Sequence, residues 1–315
     1  MRRRTHLALE LALLTAGLFV ALFLTLVVAD RHQTAPTFIP SVLGGQPKGG
    51  VVLAQEDGEL AVALALKPDS PGLLVVATVL GQDGAGASDA HVSVAVETKD
   101  GTTLAGEGTP CGPGCFETTL ETTSRPVSAT VTVTGPGASA NPIRFAVPGL
   151  WPPRPAGDLV RRTENAYRRL KTLVTHEVLQ TDPSHPQSTV YLAVAPDKLR
   201  TRNRLGSESI VIGKRRWDRR LGQPWRQTRL SAPIRSIAPY WGGIIEDPTL
   251  LGSASVGGRA AWIVSFAAPQ YPAWFTVWID KRSYRTLRLK MTASAHFMRH
   301  AYGPFDAPIT ITPPG

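Results

Sequence analysis

The chain has 315 residues, 43% of them hydrophobic, with 29 glycines, 27 prolines and a formal net charge of +10. That length fits one or two domains of ordinary size, and the apolar share is enough for a packed core. The abundance of Gly and Pro argues against a bundle of long helices and for short strands joined by tight turns.

Met1 is followed by three arginines and then by a 23-residue apolar run, Leu7 to Ala29, whose only charge is Glu10. A membrane-spanning helix needs ~20 apolar residues. A cleavable leader has a shorter apolar region of ~7–15 residues followed by a small-residue cleavage site, and Val27 to Asp30 is a poor one. The reading is an uncleaved anchor over residues 1–30, crossing the cell membrane once. The arginines hold its N-terminus in the cytoplasm and the rest of the chain lies outside. Glu10 falls in the first turn of that helix, where its carboxylate reaches the interface or faces another membrane helix. Residues 31–50 read as a tether.

From Val51 the texture changes to short β-type runs: Leu60 to Leu66, Gly72 to Leu80, His91 to Glu97, Thr118 to Leu120 and Ser128 to Thr134. Val92, Val94 and Val96 alternate with Ser93, Ala95 and Glu97, the period of a half-buried strand. Turn residues break the runs at 67–72, 82–86 and 99–101. This spacing predicts a small immunoglobulin-like β-sandwich over 51–147. Cys111 and Cys115, the only cysteines, flank Gly-Pro-Gly. In an oxidising compartment a disulfide is the default for them, with a metal or redox thiol as the other reading.

The proline-rich stretch 148–157 reads as a stiff linker. The second domain, 158–315, opens with one amphipathic helix in which Leu159, Ala166, Leu170, Leu173 and Val174 share a side and Asp158 begins the first turn. Antiparallel strands follow to the end of the chain, which predicts an α+β domain with a curved antiparallel sheet wrapped on a helix. Asp280, in Ile-Asp-Lys-Arg-Ser-Tyr, reads as a hairpin-turn acid. Residues 156–315 hold 24 Lys and Arg against 11 Asp and Glu, whereas residues 31–155 hold 7 against 11. The positive charge therefore belongs to the second domain. Outside the cell nucleic acid is excluded as a partner, and anionic headgroups or surface polymers fit the charge.

No Gly-x-Ser-x-Gly, Walker or His-Glu-x-x-His pattern is present, so the expectation is a non-enzymatic protein. Asp218, Glu246 and Asp247 sit among Arg and Pro, where turn and salt-bridge roles prevail. On a strand, His296, Met298 and His300 would share one face at ~6.6 Å spacing. Imidazole with thioether is a ligand set for Cu(I), while a buried Met and a hydrogen-bonded His are equally ordinary core residues. His176 and His185 are weaker candidates. Trp217, Trp225, Tyr240, Trp241, Trp262, Trp274, Phe275 and Trp278 fall in the second domain. They are either its core or the lining of a hollow able to bury an acyl chain.

Several segments carry a family resemblance. They are Ala273-Trp-Phe, Ile279-Asp280, Met291, Ala295-His-Phe-Met and Tyr302-Gly-Pro-Phe-Asp-Ala-Pro, with Ile212 to Asp218 and Pro110 to Phe116 upstream. Together with the Arg2 to Leu11 start, they resemble the last membrane helix and extracytoplasmic tail of actinobacterial copper-resistance D (CopD-like) proteins. That family's bundle of membrane helices has no counterpart here. The resemblance therefore implies an accessory protein of copper handling, with copper as its cofactor and a polytopic membrane protein as its partner; Glu10 and the absent bundle also fit an interaction scaffold for a membrane protein. The pattern of the second domain also resembles the lipoprotein-localisation (LolA-like) fold, which implies a carrier or sensor of lipids or lipoproteins.

Overall fold

The computed structural model describes residues 47–315 except 140, 182–185 and 270–271. The expected membrane helix with Glu10, most of the tether and His185 lie outside the described residues. Among those described, no helix is long and apolar enough to cross a membrane. The protein is mainly β, as the composition implies.

The first nine strands are β1 (Val51–Asp57), β2 (Leu60–Asp69), β3 (Gly72–Leu80), β4 (His91–Thr98), β5 (Thr103–Glu107), β6 (Thr109–Gly112), β7 (Cys115–Glu121), β8 (Pro126–Thr134) and β9 (Ile143–Ala146). They form a sandwich of two antiparallel sheets, ordered β1-β2-β3-β7-β6 and β5-β4-β8-β9. Leu60, Val62, Leu64, Leu66, Val75 and Val79 from one sheet meet Val92, Val94, Val96, Val131 and Phe145 from the other. β4 alternates as expected, with Val92, Val94 and Val96 buried and Ser93 and Ala95 partly exposed. β2 does not alternate: Leu60 to Leu66 is buried at every position. A strand buried on both faces needs a second cover, and the second domain supplies it.

That domain begins earlier than its sequence suggests. β10 (Arg154–Pro155) already pairs in the large sheet, so only the first part of the proline-rich stretch acts as a connection. Helix α1 (Gly157–Tyr167) follows. It ends before Leu170, and its buried side is Val160, Thr163, Ala166 and Tyr167 rather than the longer stripe read from the sequence. Leu173 and Val174 belong to β11 (Thr172–Gln180). Thr172, Val174 and Thr175 are β-branched and suit a strand better than a helix.

The remaining strands are β12 (Gln187–Val194), β13 (Lys198–Asn203), β14 (Glu208–Ile212), β15 (Arg215–Arg219), β16 (Arg226–Arg229), β17 (Glu246–Val256), β18 (Arg259–Ala268), β19 (Ala273–Asp280), β20 (Thr286–Ala293) and β21 (His296–Phe305). All join one twelve-stranded antiparallel sheet, ordered β10-β17-β18-β19-β20-β21-β11-β12-β13-β14-β15-β16. A single apolar cluster takes residues from α1 and from every strand between β17 and β13, including Leu250, Phe266, Phe275, Met291, Leu173 and Leu199. Laid flat, eight strands would span ~35 Å, while a helix is only ~10 Å across. One shared cluster therefore requires the sheet to curl around the helix. Asp280 caps the β19–β20 turn as expected. It accepts hydrogen bonds from Arg282 N, Ser283 N and Ser283 Oγ, and Arg259 Nε pairs with it at 2.8 Å. Burial alone would raise its pKa, but the Ser283 hydrogen bonds and the Arg259 charge outweigh burial and hold the carboxyl below its ordinary value.

The outward face of the curled sheet lies on the sandwich. Trp274, Ala267 and Phe297 pack against Val52, Ala61, Ala63, Ala65, Val76, Leu80 and Cys115. Thr249 Oγ1 donates to Gly50 O at 3.0 Å and Lys290 Nζ to Ala54 O at 3.1 Å. Small side chains on β2 let the two sheets approach, and one large indole fills the space they leave. The two domains are thus docked face to face rather than strung on a linker. Cys111 and Cys115 form a disulfide. Its loop is pinned by Gly114, whose φ is +64° and where a Cβ would lie 2.3 Å from Val79 O.

Two outcomes follow for equilibrium denaturation. Trp274→Ala, which empties the space between the domains, should cost about 3–5 kcal/mol. Gly114→Ala, which meets both the backbone clash and the positive φ, should cost at least about 2 kcal/mol. Unchanged midpoints in either variant would contradict this packing.

Candidate functional site in the hollow of the curled sheet

The inward face of the large sheet is apolar at one end and polar near its middle. Val264 and Phe266 of β18, Phe275 and Val277 of β19, Met291 of β20 and Met298 of β21 line the apolar part. Phe266 and Phe275 stack with ring centroids 5.4 Å apart.

The polar part comes from β11 and β21, which run side by side with Glu177 directly opposite His300. Their side chains meet at 2.8 Å between Glu177 Oε2 and His300 Nε2, and both residues are buried. Tyr191 on β12 donates its hydroxyl to Glu177 Oε1 at 2.8 Å. Tyr302 Oη lies 2.9 Å from His300 Nδ1. A carboxylate only accepts hydrogen bonds, so with Glu177 ionised Nε2 carries a proton and donates it; in the neutral ring Nδ1 then accepts from Tyr302. Both oxygens of the buried Glu177 and both ring nitrogens of the buried His300 have partners, which is the condition for such a pair to be tolerated. Burial, followed by the Glu177 charge, raises the Tyr191 pKa well above its ordinary value. Burial and the neighbouring Tyr167 phenol raise that of Tyr302. Burial pushes Tyr167 up to about 12.

An irregular strap, residues 230–245, covers the hollow. It contains Pro233, Pro239, Gly242 and Gly243 and includes no strand or helix. Ser236 N donates to Pro196 O at 3.0 Å and Ser236 Oγ to Val194 O at 2.8 Å. Beyond that point Ile237, Tyr240, Trp241 and Ile245 enter the cluster. Tyr240 stands edge-on to the His300 ring, centroids 4.6 Å apart. Trp241 stands edge-on to Tyr167 at 6.2 Å and to Phe266 at 5.5 Å. Trp241 is fully buried, and its indole N–H meets no acceptor among the described residues.

The three residues singled out on β21 do share the inward face, but their surroundings differ. His300 has both ring nitrogens in hydrogen bonds, and Met298 lies in the apolar cluster. His296 Nδ1 is 3.3 Å from Ser294 O, and burial lowers its pKa. Among the described residues no group of three or more His, Cys, Asp or Glu side chains is placed to hold a metal ion. His176 points outward and is exposed. Glu177 and Tyr191 were not read as site residues from the sequence. The available signal was a carboxylate at an inward position of an otherwise apolar strand, which is weak without knowledge of its partner. Of the aromatic residues read as either core or the lining of a hollow, Trp241, Tyr240, Trp262 and Phe275 belong to the apolar cluster on the inward face. Trp274 faces the sandwich, and Trp217 and Trp225 lie in a separate cluster under the far strands.

No protein-family model and no curated protein matches the chain. The likeness to copper-resistance D tails therefore has no counterpart among the comparisons. Among solved structures, the lipoprotein LppX of Mycobacterium tuberculosis is 13% identical over 49% of this chain and 97% of its own, with a TM-score of 0.40. LprF from Mycobacterium bovis is 16% identical over 51% and 98%, with a TM-score of 0.38. A LolA superfamily protein from Nitrosomonas europaea is 11% identical over 50% and 96%, with a TM-score of 0.27.

The raised tyrosine pKa values set the alkaline limit of the domain. The native state keeps phenol protons that the unfolded chain releases near the ordinary value of 10. Stability is therefore intact below pH 10 and falls as pH rises toward 12. Phenolate absorbance of Tyr167, Tyr191 and Tyr302 should appear only together with loss of circular dichroism. In Glu177→Gln, which removes a charge that holds the Tyr191 phenol up, Tyr191 phenolate should instead begin to appear at lower pH, ahead of the loss of circular dichroism.

Proposed function

We propose that the chain is a non-enzymatic receptor for acyl chains, those of a lipid or a lipidated protein, held at the outer face of the cytoplasmic membrane. The observation that carries this reading is the way the hollow is closed. Its apolar floor is covered by a strap without regular structure, from which the buried Trp241 ring reaches in edge-on to Tyr167 and Phe266. Only Ile234, Ile237 and Trp241 of the strap are buried, and a segment held by so few buried apolar contacts opens at lower free energy than the strands around it. Lifting the strap withdraws Trp241 from Phe266 and opens the cluster in which Phe275, Val277, Met291 and Met298 also lie. Glu177 and His300 are at its edge, where a polar headgroup or peptide amide finds donors and acceptors. This is the composition of a small-molecule site: mostly apolar, with a few placed polar groups. The apolar surface supports an acyl chain better than a metal, because His300 and Met298 are already engaged in the network and the core.

Titration of residues 47–315, freed of bound lipid, with a fluorescent long-chain fatty acid and with a lipidated peptide tests the reading. Saturable binding of either is expected. Trp241→Ala, which weakens the plug and raises the fraction of open protein, should tighten binding by about tenfold, whereas Trp241→Phe should change it little. No binding of either ligand to the parent or to Trp241→Ala would overturn the proposal.

A further inference from the structure

Among the described residues the exposed large hydrophobic side chains are Leu205, Leu221 and Ile244, at 61%, 77% and 68% exposure. Strand pairing puts them on one rim. The β13–β14 turn holds Leu205 and the β15–β16 turn holds Leu221. Glu208 at the start of β14 pairs with Arg219 at the end of β15, so these two turns are neighbours. Ile244 precedes β17. Glu246 of β17 pairs with Ala267, Ala268 with Ala273, Ala273 with Ala293 and Ala293 with His296, and the register continues through β11 and β12 to Asn203. The start of β17 therefore lies at the same ends of the strands as the two leucine turns.

The two turns form a built surface. A Cβ on Gly206 would lie 2.9 Å from Leu221 Cδ1, so the second leucine rests on the backbone of the first turn. Ser207 N donates to Asn203 Oδ1 at 2.9 Å and Gln223 N to Arg220 O at 3.0 Å, which fixes both turns. Around the leucines stand Arg204, Arg220 and Arg226, all exposed. Behind them the Arg219 guanidinium covers the half-buried Trp225 ring at 4.7 Å. Near the leucines, Glu208 is buried and shared by Arg200, Arg202 and Arg219 and Asp218 is paired with Arg216; the other acids, Glu246 and Asp247 at the start of β17 and Asp83 in the loop beside Ser294, stand at the far side of the rim. Protruding leucines, a half-buried tryptophan behind them and an excess of arginine together match the boundary between lipid headgroups and acyl chains.

We propose that this rim docks on an anionic phospholipid surface, with Leu205 and Leu221 entering the headgroup–acyl boundary and the arginines binding lipid phosphates. The inference does not rest on the acyl-chain reading of the hollow. The full-length protein, reconstituted into nanodiscs of phosphatidylcholine alone or mixed with phosphatidylglycerol, provides the test. Leu221→Cys labelled with an environment-sensitive fluorophore reports on the tip. Lys214→Cys, in the exposed β14–β15 turn at the opposite rim, is the reference. With anionic lipid the tip probe should shift to the blue and be quenched by brominated acyl chains, and the reference probe should not. Arg204→Glu with Arg220→Glu should lower the docked-to-free ratio by at least about tenfold, and ~1 M salt, where the screening length is ~3 Å, should do the same. A tip probe that stays aqueous on anionic discs would overturn the proposal. So would equal quenching without anionic lipid, or equal quenching at the reference position.

Discussion

The architecture depends on one contact between two sheets. β2 and β3 serve two cores at once: Leu60, Val62, Leu64, Leu66, Val75 and Val79 face the sandwich interior, and Ala61, Ala63, Ala65, Val76 and Leu80 face the curled sheet. Alanines on that outer face keep the approach close, and Trp274 and Phe297 fill what remains. The result is a stack of four layers: the β4 sheet, the β2 sheet, the curled sheet and the helix with its strap. Remove the shared layer's second cover and β2 becomes an all-apolar strand with one face in water, which an isolated sandwich could not tolerate.

Within this stack the hollow combines two kinds of core. One is apolar and aromatic, filled by the strap. The other is the Glu177–His300 pair with the Tyr191 and Tyr302 hydroxyls, held by facing positions on β11 and β21. A buried carboxylate and imidazole are costly unless each has its partner, and here both oxygens and both nitrogens are used. The network and Met298 occupy the strand whose His-Met-His spacing suggests a metal site. The same alternation that places three side chains on one face also delivers them to a core, and only the facing strand decides what they meet.

Much of the fold was legible in local pattern. The period of two in β4, the turn at Asp280, the disulfide loop and the succession of one helix and many antiparallel strands all follow from short-range chemistry. The end of α1 was less legible, because Leu170, Leu173 and Val174 keep a helical spacing while the β-branched Thr172 to Thr175 run is drawn into the sheet. The domain docking was written in the unbroken apolar run of β2, although nothing nearby in sequence names its cover. The Glu177–His300 contact joins residues 123 positions apart, and Tyr240 reaches it from a third segment. Pairings of that kind carry no local signal.

The docking also divides the curled sheet into unequal halves. β18 to β21 are backed by the sandwich, whereas β12 to β15 are backed by the C-terminal tail, through Ile309 and Ile311. That tail is fastened at its root, where Thr172 Oγ1 donates to Ala307 O at 2.7 Å and Lys171 N to Asp306 Oδ1 at 2.9 Å. One half of the sheet is thus backed by a whole domain and the other by a single chain segment, and the change of backing falls at β11 and β12, the strands on which Glu177 and Tyr191 stand.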